Sequence, residues 1–178
     1  MKEKIIKTIP LYDGKILDLQ RNLVVLPNDE LSFREIVKHK QGVCIIPVID
    51  DEIIFVSQYR SGVEKILLEL PAGIVDENEL PLDAAIRELR EETKYSSSKI
   101  TYLGGYYSSP GFTNEQVHLY LAEKLFEDPL DEDSDEFIEL SRYNVKQIHR
   151  LLASNTISDM KTALALMIYL NTKNSQSN

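Results

Sequence analysis

Alternation of apolar and polar residues dominates the first half of the chain. "EKIIKTI" over residues 3–9, "KILDLQRNLVVL" over 15–26 after the turn signal Asp13-Gly14, and "LSFREIVKH" over 31–39 after Pro27-Asn28-Asp29 read as an antiparallel meander of strands. "VCIIPVI", "EIIFVSQYR" and "KILLELPAG" continue the strand pattern, the first two joined by a hairpin turn at Asp50 and Asp51. The period then changes. From about residue 81 to 93, Leu82, Ile86, Leu89 and Thr93 recur on one narrow arc at helical spacing, which predicts an amphipathic helix. "ITYLGGYYSS", "QVHLYLAEKL" and "FIELSRY" return to strand alternation. "VKQIHRLLAS" and "SDMKTALALMIYLNT" are helical by period, the second with Ser158 as its expected N-cap. Strands on both sides of one central helix predict an α/β sandwich of mixed sheets rather than a doubly wound fold.

Composition narrows the class without changing that outline. The 178 residues suit one domain, or one with a small appendage; 43% are hydrophobic and 28% charged, the balance of a soluble globular protein. A formal net charge of -9 argues against a protein that grips nucleic-acid phosphates, though anionic substrates can still be bridged by metal ions. The single cysteine, Cys44, lies in the apolar run "GVCIIPVI" and reads as a small buried hydrophobe, so no intrachain disulfide can form. "MKEKIIKTIP" holds no apolar stretch of signal-peptide length, and no run approaches the roughly 18 apolar residues of a membrane span. A cytoplasmic protein without membrane or nucleic-acid partners is expected.

Charge patterning changes the picture at two places. In "RELREETKY", residues 87–95, Glu88, Glu91 and Glu92 crowd into about one and a half turns of the expected helix, where like charges three and four apart repel. They lie roughly opposite the apolar arc, with Arg87 and Arg90 between the two faces. Taken alone, the cluster is either a solvated acidic face tied by an Arg87–Glu91 pair or a set of hard oxygen ligands for a divalent cation. The second place is the acidic run "EDPLDEDSDE", residues 127–136, which reads as a solvated loop. His39, His118 and His149 are scattered along the chain, which argues against a zinc site.

The residues upstream decide between the two readings of the helix. Gly73 is followed after five residues by Glu79, and after seven more by Arg87-Glu88-Leu89-x-Glu91-Glu92. This arrangement resembles the Nudix box, in which a glycine, a glutamate and an Arg-Glu-aliphatic-x-Glu-Glu-x-Gly-aliphatic run stand at those intervals. Tyr95 is a loose match for the final apolar position, and Lys94 stands where the family has glycine. "VSQYR", "ELPAG", "SSPGF" and "ISDMKT" are similar to segments of the ADP-ribose pyrophosphatase branch, as is Pro110, fifteen residues beyond Tyr95. The resemblance covers about Leu31 to Leu170.

That resemblance implies a Nudix-type α/β/α sandwich of mixed sheets with a small N-terminal antiparallel sheet. It divides the chain into residues 1–40 for that sheet and dimerisation, 41–172 for the catalytic domain, and a polar, frayed tail at 173–178. It implies a magnesium-dependent hydrolase, with manganese as the alternative ion, that splits ADP-ribose into AMP and ribose 5-phosphate. A pyrophosphatase for GDP-mannose or another nucleotide sugar is the alternative enzyme, and a non-catalytic Nudix-fold ADP-ribose sensor the alternative of another class. By the same resemblance Glu88 and Glu92 are the principal metal ligands, with the carbonyl of Ala72, and Glu91 is a further ligand or proton acceptor. Arg87 and Glu79 orient these groups by pairing. Arg60 and Glu69 take positions that hold the diphosphate and ribose, against the plainer reading of a strand-end surface pair. Arg34, Glu35 and His39 resemble residues on the adenine side, against the plainer reading of the third strand's solvent face, and Pro110, Gly111 and Phe112 shape a loop in which Phe112 either stacks on a ring or anchors the loop. Glu132, Asp133 or Asp135 in the acidic run, or else Glu115, supplies the general base. Relatives with such an N-terminal sheet are dimers that exchange it, so a homodimer is expected.

Overall fold

The structure, a computed structural model, describes residues 2–131 and 137–176. Two compact units emerge: one joins the chain up to Gln41 with Tyr106–Gln116, the other holds Gly42–Gly105 and Val117 onward.

The first unit is built on β1 (Lys4–Asp13), β2 (Leu17–Val25) and β3 (Leu31–His39), antiparallel in that order. The turn from β2 to β3 is closed by Asp29 in a left-handed conformation (φ 65°), whose N–H reaches the Leu26 carbonyl at 3.0 Å. Aspartate tolerates that backbone better than most residues, so the "PND" signal has a local cause. Val24 and Asn22 are buried, whereas Ile5, Leu11, Tyr12, Ile16, Leu31 and Phe33 are exposed. The returning segment docks on β3: the Val37 N–H donates to the Phe112 carbonyl at 2.7 Å, and Asn114 and His39 exchange bonds.

The second unit has, among the described residues, a seven-stranded mixed sheet. Its path runs β10 (Glu139–Asn144), β5 (Glu52–Arg60), β4 (Gly42–Ile49), β9 (Gln116–Glu127) and β8 (Tyr95–Tyr107), with β6 (Lys65–Glu69) on β5 and β7 (Ala72–Ile74) on β4. β4 and β9 are parallel, while the other pairings of β4 and β5 are antiparallel. Alternation along β4 sorts two cores. Val43 and Ile45 pack with Ala84, Ala85 and Leu89 of α1 (Pro81–Thr93), whereas Cys44 and Ile46 pack with Ile148 of α2 (Val145–Ala153) and Ala165 and Leu166 of α3 (Met160–Gln176). Burial on both faces explains why "GVCIIPVI" is continuously apolar. The result is the expected α/β/α sandwich of mixed sheets, with helices on opposite faces. Among the described residues no helix is long and apolar enough to cross a membrane.

Four expectations need correction. "KILLELPAG" is not one strand: it breaks before β7, and Glu69 pairs with Val56 of β5 while Ala72 pairs with Cys44 of β4. β8 begins at Tyr95 and includes "SSS", where Ser97 Oγ also donates to the Glu123 carbonyl of β9. The cap of α3 is Asp159 rather than Ser158: its carboxylate accepts the Thr162 N–H at 2.9 Å. The helix then runs on to Gln176, through most of the segment expected to fray.

Candidate active site

α1 buries only half of the arc formed by Leu82, Ile86, Leu89 and Thr93. Leu82 is exposed, while Ala84, Ala85, Glu88, Leu89, Glu92 and Thr93 are buried. The two alanines let that side approach the sheet, and β7 meets it with Gly73. A Cβ on Gly73 would stand 1.9 Å from Glu88 Oε1, so only glycine admits the carboxylate at this position of the strand. Glu88 and Glu92 are thereby pressed between helix and sheet, at 8% and 2% exposure.

Arg87 holds the cluster together. Its Nε and Nη2 donate to the two oxygens of Glu79, each at 3.0 Å; Nη1 donates to Glu88 at 2.7 Å and to Glu91 at 2.9 Å; Nη2 also donates to the Ile74 carbonyl at 2.9 Å. These bonds match the five N–H donors of a guanidinium. Glu79 is in turn fixed by the Asp76 N–H at 2.9 Å. The bonds from Arg87 hold the Glu79 carboxyl below its ordinary range, and the same bonds, Glu79 first, raise the Arg87 guanidinium further. Glu92 is anchored separately, accepting the Ala72 N–H at 3.0 Å. The residues expected to pair do pair, and "RELREE" is no solvated face.

Four carboxylates and one guanidinium leave a formal excess of three negative charges in a part-buried place. Such an excess is unfavourable unless further cations or donors meet it. Among the described residues no three His, Cys, Asp or Glu side chains form a ready-made metal cage; the Arg87 guanidinium bridges Glu88 and Glu91. The donors available are nevertheless carboxylate and backbone oxygens, the chemistry that magnesium prefers, and the Gly73 cradle brings one of them against the strand. The residues fit a divalent ion.

A second ionic cluster lies two residues before Pro71. Glu69 is 1% exposed, and its oxygens accept from Arg60 Nε at 2.8 Å and Arg60 Nη2 at 3.0 Å. It is therefore no surface pair. Lys161 Nζ joins Glu69 from α3 and reaches Asp159 at 3.0 Å. The segment "ISDMKT" carries both Lys161 and Asp159, to neither of which the sequence alone assigns a role. One signal was present: a lysine in the first turn of a helix opposes the helix dipole, and so asks for a particular anion. The bonds to Glu69 raise the Arg60 guanidinium above its ordinary value, and Glu92 adds to the effect, which puts the two clusters within electrostatic reach.

Arg34, Glu35, Pro110, Phe112 and Glu115 belong to the first unit. Arg34 pairs with Glu3 at 2.5 Å and bonds to Ser32 and the Phe33 carbonyl; Glu35 is exposed. Pro110 is exposed in a turn closed by the Phe112 N–H on the Ser109 carbonyl at 3.1 Å, and Phe112 is 53% exposed. Glu115 accepts from Ser108 Oγ at 2.5 Å and lies 3.7 Å from His39 Nδ1. Glu132, Asp133 and Asp135 lie outside the described residues.

A family model described as the NUDIX domain matches residues 38–165. Over 97% of its length the chain is 40% identical to a Bacillus subtilis (strain 168) protein named ADP-ribose pyrophosphatase, covering 95% of that protein. It is 38% identical to a Bacillus methanolicus protein named methanol dehydrogenase activator, over 93% of this chain and 91% of the other. A crystal structure titled ADP compounds hydrolase superposes with a TM-score of 0.91, covering 99% of this chain and 96% of that one; at 21% identity it attests the fold.

Proposed function

The chain belongs to the NUDIX family and is a Nudix hydrolase, and on that premise we propose that it cleaves the diphosphate of ADP-ribose to AMP and ribose 5-phosphate. The observation that carries this reading is the carboxylate cluster against Gly73, in a chain alike from end to end to a protein named for that activity.

Hydrolysis adds the oxygen of water to one phosphorus while the bond from that phosphorus to the bridging oxygen breaks. The chain's residues divide the work. Glu88, Glu92 and the Ala72 carbonyl, with Glu91 as a further ligand, would hold magnesium or manganese. When bound, the ion neutralises charge on the phosphoryl oxygens and lowers the pKa of water. Arg87 and Glu79 fix the carboxylates so that they need not reorganise during reaction. Arg60 meets the diphosphate. In the first unit Arg34 and Glu35 serve the adenine side, and Phe112 stacks on a ring. The proton of the attacking water goes to a carboxylate, with Glu91, Glu115 and the acidic run at Glu132 and Asp133 as the acceptors to be compared.

The exposed apolar side chains of β1 to β3 support a homodimer, since a second copy of that sheet would cover them. Sedimentation at micromolar concentration should give the dimer mass.

Incubation with ADP-ribose and magnesium should release AMP and ribose 5-phosphate, faster than GDP-mannose or other nucleotide sugars are split. Binding without products would instead identify a sensor, and preference for GDP-mannose would move the enzyme to the other substrate class.

A further inference from the structure

Glu69 is the deepest charged group of the second cluster. Both its oxygens face cations, and at 1% exposure it has almost no surface with which to touch a ligand. Arg60 differs: 37% of its side chain is exposed. Its Nε and Nη2 are directed at Glu69, which turns the remaining edge of the guanidinium away. A guanidinium carries five N–H donors in a fixed fork, so those not bound to Glu69 can meet an anionic group bidentately.

A single half-exposed cation is weak support for a carboxylate buried this deeply. Lys161 supplies the second. Its Nζ donates to Glu69 Oε2 and pairs with Asp159 Oδ1 at 3.0 Å, while Asp159 Oδ2 accepts the Thr162 N–H at 2.9 Å. Burial pulls the ammonium down, but Asp159 and Glu69 outweigh it and hold it above the ordinary lysine value. The backbone next to Glu69 is tied to the same helix, since the Leu70 N–H donates to Thr162 Oγ1 at 2.9 Å. The first turn of α3 thus grips Glu69 by its side chain and the following residue by its backbone.

We propose that Lys161 is a positioning residue for substrate binding: acting through Glu69, it locks Arg60 with its outer guanidinium edge presented to the diphosphate, and Glu69 itself does not contact the substrate. This rests on the reading of the reaction given above. Lys161 then affects binding more than bond cleavage, which belongs to the carboxylates on α1.

The test compares wild type, Lys161→Met and Lys161→Arg in three measurements: steady-state kinetics with ADP-ribose and magnesium, calorimetric binding of ADP, and the Arg60 Nε–H resonance in proton–nitrogen NMR of ligand-free protein, assigned with Arg60→Lys. In Lys161→Met the KM and the ADP dissociation constant should each rise about tenfold with kcat within about threefold. The Arg60 resonance should broaden or vanish through solvent exchange, and Lys161→Arg should restore it. If Lys161→Met does not fold, Lys161→Gln takes its place in the same measurements. An unchanged Arg60 resonance, an unchanged ADP affinity, or a fall in kcat at constant KM overturns the proposal. Absence of turnover in wild type overturns the substrate reading instead, and the NMR and ADP results still decide the role of Lys161.

Discussion

The two ionic clusters of the larger unit are built from the same groups and differ in their balance. Around Arg87, one cation meets Glu79, Glu88 and Glu91, with Glu92 close behind. Around Glu69, Arg60 and Lys161 face Glu69 and Asp159, two charges of each sign. A balanced buried network holds its shape without help. An unbalanced one stores a demand for more positive charge, which a divalent ion or an anionic substrate bridged by that ion can answer. On the proposed reading, the unbalanced cluster is the reaction centre and the balanced one holds Arg60 for the diphosphate.

Removing a charge from each cluster should therefore have opposite consequences. Glu92→Gln keeps an oxygen for the Ala72 N–H but takes one charge from the over-negative site. Turnover should fall by about a thousandfold or more, while metal-free stability in urea stays level or rises. Near-normal turnover in saturating magnesium would remove Glu92 from the ligand set. Glu69→Gln leaves two cations facing an amide, and should cost about 2–4 kcal/mol of stability, near the lower part of the range for breaking a buried pair because Arg60 keeps some solvent. A loss below about 0.5 kcal/mol, the size of an ordinary surface substitution, would abolish the distinction between the clusters.

Titration sharpens the comparison further. Glu79 is held below its ordinary 4.5, so its contribution is present above that value and is lost as pH falls through the lower folded value. Lys161 is held above its ordinary 10.5, so its contribution is complete below that value and is lost as pH rises through the higher folded one. The stability difference between wild type and Lys161→Met should stay flat from pH 7 to about 10 and shrink only beyond it. A difference that shrinks already near neutrality would mean that Lys161 is not paired as described.

The smallest effect concerns the residue that breaks the motif. Lys94 follows α1 in a left-handed conformation, φ 68°, and its N–H closes on the Arg90 carbonyl at 3.1 Å. The left-handed backbone strains this terminus, and the side chain compensates: Nζ donates to the carbonyls of Glu91 at 2.8 Å and Leu130 at 2.9 Å. Glycine would relieve roughly 1 kcal/mol of backbone strain and forfeit those bonds. Lys94→Gly should thus change stability by less than about 1 kcal/mol and leave turnover unaltered, and a larger loss would show that the ammonium outweighs the strain.

What was legible in the sequence follows from how locally each feature is encoded. Strands and helices came from short periodic runs, and the carboxylate cluster from residues close together on one helix and the loop before it. The buried side of α1 is only partly legible: hydrophobicity favours Leu82 and Ile86 beside Leu89, whereas close packing on the sheet buries Ala84 and Ala85 against Val43 and Ile45 and seats Glu88 at Gly73. The partner of Lys161 was hidden for a different reason: a first-turn lysine signals an anion without saying which. Its partner Glu69 is 92 positions away, and no local pattern announces a pair made only when α3 docks on the sheet.

Lys94 does more than end a helix. Its carbonyl accepts the Asp128 N–H at 3.1 Å, the Leu130 N–H reaches the Arg90 carbonyl at 3.4 Å, and Arg90 Nε pairs with Asp128 at 2.9 Å. Those bonds use backbone groups and the Arg90 side chain, which glycine at 94 would keep; the Lys94 ammonium on the Leu130 carbonyl adds to them and completes a stitch between the last turn of α1 and the segment leaving β9. Helix ends ordinarily fray first, so their amides exchange with solvent far faster than those of the core. Here the amides of Lys94, Asp128 and Leu130 should exchange together, as one cooperative opening, and the two segments should yield to a protease only as a pair.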